Sequence, residues 1–178
     1  DTANRAPLEA IKTDYAGHLR FAELIGLSAS DLTAALKDLP EESVILFFNY
    51  YRDIEGTVYT LEEGIDLVKM NSSFPIYSLW RDKVEAGALG GIITCGELQG
   101  KNAAAIALRI LSGEAPDEIP ILKRSPTIPM FNYSQLKRYN IGSGDLPEGS
   151  IIVNEPDSFF YRYKTYILEA GVLVSMLV

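Results

Sequence analysis

Asn49, Tyr50, Tyr51, Arg52 and Asp53 form the stretch whose residue types and spacing are best suited to chemistry, five consecutive groups able to stack, donate and accept. Arg52 offers a planar fork of donors that matches a carboxylate, and Asp53 an acceptor for an amine or hydroxyl. The same two residues also suit a solvent-exposed pair that begins a turn. Tyr50 and Tyr51 point to opposite faces if the backbone stays extended, so at most one of them faces a given crevice. Trp80 closes a second apolar run, FPIYSLW, where its ring either stacks on a flat or sugar-like ligand or packs as a core aromatic. As a group these residue types suit binding, and they do not form a catalytic set. His18 and Cys95 are each the sole residue of their type, which removes Ser-His-Asp and Cys-His arrangements, multi-histidine zinc sites and any internal disulfide. Cys95 reads as a small buried hydrophobe. Glu62 and Glu63 are adjacent on a helix and point apart, so they do not make a glycosidase-like acid/base pair.

The elements that must position this stretch follow from pattern. Val44–Phe48 is an unbroken β-branched and aromatic run, the composition of a strand buried on both faces of a parallel sheet. In open α/β sheets ligands bind in the crevice outside the carboxyl ends of the strands, which is where residues 49–53 fall. Upstream, Pro7–Tyr15 has helical spacing and Phe21–Leu27 is a strand candidate. Ser28-Ala29-Ser30-Asp31 has the form of a capping box ahead of Leu32, Ala35, Leu36 and Leu39. Downstream, Asp53–Gly56 predicts a turn, and Thr60-Leu61-Glu62-Glu63 a second capping box opening a helix with Leu61, Ile65 and Val68 inward. Phe74–Trp80 and Ile92–Thr94 are strand candidates. From Glu97 to Ser112 the residues Ala103, Ala104, Ala107, Leu108 and Leu111 leave only a narrow polar stripe, which predicts a largely buried helix closed by Gly113. Ile119–Lys123 and Ile128–Asn132 are further strand candidates, Ser134–Tyr139 a short helix, and Gly142–Gly149 a loop. Strands alternating with helices predict an α/β fold, a three-layer mostly parallel sheet with helices on both faces.

Composition narrows function. The 178 residues, 47% apolar and 22% charged, suit an ordinary globular domain. A net charge of -8 and the lack of a basic stripe argue against nucleic acid as a partner. The first twenty residues do not have the form of a signal peptide. Gly171–Val178 is apolar and follows the aromatic and basic run Phe159–Tyr166; it is either a terminal core segment or the first turns of a membrane helix.

Several segments together resemble the type I periplasmic binding proteins, in the ABC-transporter substrate-binding branch whose domain also stands in front of bacterial sensor histidine kinases. They are Val44–Asp53, Pro75–Trp80, and Gly87-Ala88-Leu89-Gly90-Gly91 leading into Glu97–Ala104. Leu108–Glu114 with Pro116, Ile119 and Pro120 follows, and then Met130–Leu136, Leu146–Ser150 and Tyr161-Arg162-Tyr163. The match covers most of residues 20–165. The resemblance implies a two-lobed clam-shell closing on a small ligand, of which residues 1–165 are most of the second lobe and the return into the first. Residues 166–178 are then the start of a membrane helix or a core segment. It further implies an extracytoplasmic ligand-sensing domain of a membrane receptor of the two-component kind, or alternatively a free-standing solute-binding component of a transporter. In either case the domain is no enzyme and needs no cofactor or metal. Partners would be a sugar, amino acid or nucleoside, the cytoplasmic membrane, and a second copy of the chain. Ligand contacts are expected at Tyr50, Tyr51, Arg52, Asp53 and Trp80. Gly90 and Gly91, which permit close approach by a ligand or by a crossing strand, fall at the family's lobe crossover as a hinge.

Overall fold

The computed structural model describes residues 5–122 and 125–157. The aromatic stretch 159–166 and the apolar stretch 171–178, with their core or membrane readings, lie outside the described residues. In chain order the elements are α1 (Arg5–Asp14), α2 (Ala29–Lys37), β1 (Ile45–Leu46), α3 (Leu61–Asn71), β2 (Ile76–Tyr77) and α4 (Arg81–Glu85). They continue with β3 (Gly90–Thr94), α5 (Gly96–Leu111), β4 (Thr127–Asn132), α6 (Tyr133–Arg138) and β5 (Ile151–Val153).

Local sequence sets the helix starts. Ser28 caps α2 by accepting from the Asp31 amide at 3.1 Å, while its own hydroxyl donates to the Asp31 carboxylate. Thr60 and Glu63 close a full capping box on α3, each side chain accepting from the other residue's amide. Gly56 takes φ +91° in the predicted turn and Gly113 φ +99° after α5.

The sheet has five strands in the order β1-β2-β3-β4-β5. Three of its pairings are parallel, and β4 lies antiparallel to β3, with Gly90 opposite Phe131 and Thr94 opposite Thr127. The α/β class and its mostly parallel sheet therefore hold. Strand alternation sorts the layers. Ile76, Ile93 and Met130 face one side, where α2, α3 and α4 pack through Leu32, Leu36, Ile65, Val68 and Val84. Tyr77, Phe131 and Ile152 face the other, covered by Leu136 of α6 with Ile141 and Leu146.

Several expectations need correction. β1 is an edge strand, so Phe47 is inward while Val44 (66% exposed) and Leu46 (43%) meet solvent; it is not buried on both faces. Phe21–Leu27 forms no ladder, and only Leu24 and Leu27 touch the core. Residues 119–122 are likewise not a strand. The helix expected to be largely buried, α5, has no buried residue, and Leu108 and Leu111 are 64% and 83% exposed. α4 and β5 have no counterpart among the elements expected from sequence.

Gly90 and Gly91 lie within β3, the middle strand, at φ +153° and +155°. A Cβ on Gly90 would overlap the Phe131 ring and the Met130 carbonyl oxygen, and one on Gly91 the Ser78 carbonyl oxygen. The close approach at this pair is thus made by the flanking strands.

Candidate functional site

β1, β2 and β3 run in parallel, so the segments after Leu46, Tyr77 and Thr94 emerge at one end of the sheet. The Thr94 amide donates to the Leu79 carbonyl at 2.9 Å and Trp80 bridges to Thr94, which keeps the second and third strand ends together. Phe48 and Trp80 bring the first and second together, their rings meeting edge to face with centroids 6.1 Å apart. Both rings are half-buried. Trp80 also begins α4, so its position is set by a strand on one side and a helix on the other.

After Phe48 the chain turns into a small hairpin. Arg52 bridges antiparallel to Val58, the Tyr59 amide donates to the Tyr51 carbonyl at 2.9 Å, and the Asp53 amide to the Thr57 carbonyl at 3.1 Å. Asp53 is 7% exposed, and both its oxygens are engaged inside the hairpin. One accepts from the Thr57 amide at 2.8 Å, the other from the Tyr59 hydroxyl at 2.9 Å. Burial pushes the Asp53 carboxyl up, but the donors from Thr57, Tyr59 and the Glu55 amide outweigh it and hold it below its ordinary value. Tyr50 is turned inward as well. Its hydroxyl donates to the Leu27 carbonyl at 3.2 Å, its ring lies 5.1 Å from that of Tyr59, and it packs on the α2–α3 core. Burial, with the charges of Tyr59 and Asp53 nearby, pushes its phenol up.

The five expected contacts therefore divide. Tyr50 and Asp53 brace the hairpin from inside. Tyr51 (45% exposed), Arg52 and Trp80 present surface at the strand ends. Among the described residues the Arg52 guanidinium has no hydrogen bond or ion pair, leaving its donors available.

Lys83 was not foreseen. It is 2% exposed, and its Nζ donates to the Tyr51 hydroxyl and to Asp82 Oδ2, each at 2.9 Å. Burial pulls its pKa down, but the Tyr51 hydroxyl and the Asp82 carboxylate more than compensate, so the ammonium titrates above its ordinary value. No spacing pattern announces this contact, because 32 positions separate the partners. The arrangement offers aromatic surface, a free guanidinium and polar loop groups. Among the described residues no cluster of His, Cys, Asp and Glu is placed to hold a metal ion.

Comparison with solved structures agrees with this architecture. A substrate binding protein with adhesive properties from Clostridium difficile, CD0873 in its ligand-free, open structure, superposes at TM-score 0.63 with 17% identity, over 88% of this chain and 52% of that one. The fold is substrate-binding-protein-like. A conserved domain protein from Vibrio cholerae O1 biovar El Tor strain N16961 superposes at TM-score 0.52 with 19% identity, over 83% of this chain and 49% of that one. The chain spans about half the length of these two structures. No family model and no curated protein matches. At these identities the likeness establishes the fold, and the site must be argued from the residues themselves.

Proposed function

We propose that this chain is the recognition part of an extracytoplasmic small-ligand-binding protein with no chemistry of its own. One observation carries the reading. The free Arg52 guanidinium stands on the loop after β1, at the same end of the sheet as the Phe48–Trp80 pair, where binding-protein-like α/β folds receive ligands. Arg52 would hold a polar group of the ligand, and Trp80 and Tyr51 would pack on its body. The ligand favours a closed state because it makes contacts available only there.

In this reading residues 1–165 act as one lobe with a return segment, and the exposed apolar side of α5 packs on the other half of a two-lobed protein. The length of the neighbours, about twice the matched part, supports this division. Two settings are compatible with it. The family resemblance supports a sensor domain of a membrane-bound signalling receptor, paired in two copies, and equally a free-standing solute-binding component of a transporter; the Clostridium neighbour, named a substrate binding protein, supports ligand binding in either setting. Among the described residues no helix is long and apolar enough to cross a membrane. A following apolar span with a cytoplasmic signalling region in the full gene would support the receptor, and a permease partner the transporter.

The test is a thermal-shift screen against amino acids, sugars and nucleosides, run on the longest protein that carries this chain. A ligand that binds only the folded state raises its melting temperature. Trp80 is the sole tryptophan of this chain, and its emission, read as the difference from a Trp80→Phe variant of the same protein, should change with the same compound. Arg52→Ala should abolish the shift and leave the empty protein's melting temperature nearly unchanged, since the side chain is exposed and makes no hydrogen bond or ion pair among the described residues. A full shift in that variant removes Arg52 from the site.

A further inference from the structure

We propose that Lys83 is a positioning residue for the strand-end crevice: from inside the fold it ties the hairpin after β1 to α4 and so fixes where Tyr51 stands. The value of that position to a ligand rests on the function proposed above; the tie itself does not. Tyr51 is nearly half exposed, yet its hydroxyl reaches inward to a side chain that is almost wholly buried. The Lys83 Nζ lies 5.1 Å from the Tyr51 ring centroid and 2.9 Å from its hydroxyl, so the hydroxyl is the group it holds. Because the Tyr51 carbonyl receives the Tyr59 amide, holding Tyr51 holds the base of the hairpin.

The other bonds of this segment do different things. Those of Asp53 close the hairpin on itself through Thr57 and Tyr59. That of Tyr50 anchors it toward the Leu27 carbonyl, ahead of α2. Among the described residues only Lys83 anchors it by a side-chain hydrogen bond to the element that follows β2, which also carries Trp80 at its start. Stability alone does not explain a cation here. Taking an ammonium out of water is costly, and an apolar side chain of similar length packs in its place without that cost. What a methionine does not supply is a charged donor to a hydroxyl 32 positions away.

The experiment is amide hydrogen exchange on the unliganded chain, in the natural protein and in Lys83→Met, Tyr51→Phe and the double variant. The readout is the exchange of the Tyr59 and Thr57 amides, with α3 and β4 as internal controls. Each single substitution should speed the hairpin amides roughly tenfold, the scale of one charge-assisted hydrogen bond, and leave the controls unchanged. The double variant should be no faster than the faster single one. Unchanged hairpin exchange in both single variants, additive effects in the double, or an equal rise in every element would overturn the proposal. Tyr51→Phe keeps the buried lysine beside Asp82, so the test survives if Lys83→Met folds poorly. No ligand is used, so failure to find a binder counts against the proposed function alone. Where a binder is found, Lys83→Met should weaken it about tenfold with little change in the empty protein's melting temperature.

Discussion

Helices α3 and α5 carry apolar stripes of similar form, and only α3 is covered. In α3, Ile65 and Val68 are 0% and 3% exposed and close the core with Leu32 and Leu36 of α2. In α5, Ala103, Ala104, Ala107, Leu108 and Leu111 all meet solvent. The difference lies in the path of the chain. The chain leaves the sheet after Thr94 into α5, and the next strand begins at Thr127, directly opposite Thr94, so α5 belongs to an excursion from the end of the sheet. It is held by local means, alanine-rich propensity, a Glu97–Lys101 ion pair at 2.8 Å and the Arg109–Glu114 pair. Periodicity reports which face of a helix requires cover. It does not report whether the cover is in the same stretch of chain.

Substitutions sharpen the contrast. Ile65→Ala removes a fully buried side chain and should cost about 2–5 kcal/mol in urea unfolding. Gly90→Ala forces a Cβ into the Phe131 ring and the Met130 carbonyl and should cost about 1–3 kcal/mol, more if β4 separates. Gly100→Ala in α5 should act in the opposite direction. Nothing stands within 4 Å of a Cβ there, so alanine should raise the stability of the helix by roughly 0.5–1 kcal/mol, read by circular dichroism on warming. Leu108→Ala should change the unfolding of this chain by less than about 0.5 kcal/mol. A loss like that of Ile65→Ala would mean that α5 is covered and the contrast is false.

Acid provides a further distinction between the hairpin and the core. The Asp53 carboxyl sits below its ordinary value when folded, so its contribution is fully present above the unfolded pKa of about 4 and is lost as the pH falls through the lower folded value. Exchange at Thr57, corrected for its intrinsic pH dependence, should therefore accelerate only in that acid range, while Ile93 in β3 stays protected. Asp53→Asn should remove the pH step.

Much of the framework was legible because local chemistry decides it. Thr60 with Glu63, Ser28 with Asp31 and the glycines at 56 and 113 set helix ends and turns through groups a few residues apart. The site was legible in place and only partly in role. Residues 49–53 and Trp80 do fall at the strand ends, but the inward turn of Tyr50 and Asp53 depends on Leu27 and Tyr59. The edge position of β1 and the antiparallel entry of β4 were not legible either, since a strand's neighbours are not encoded in its own composition.

From its own order of residues, then, this chain determined an α/β alternation, its helix caps, and a polar, aromatic loop after the first strand. The three-dimensional arrangement alone decided that Arg52 stays free while Asp53 does not, that a buried Lys83 reaches Tyr51, and that α5 stands bare. Caps and turns are contacts between near neighbours. Burial and pairing are settled between residues that meet only after the sheet has assembled.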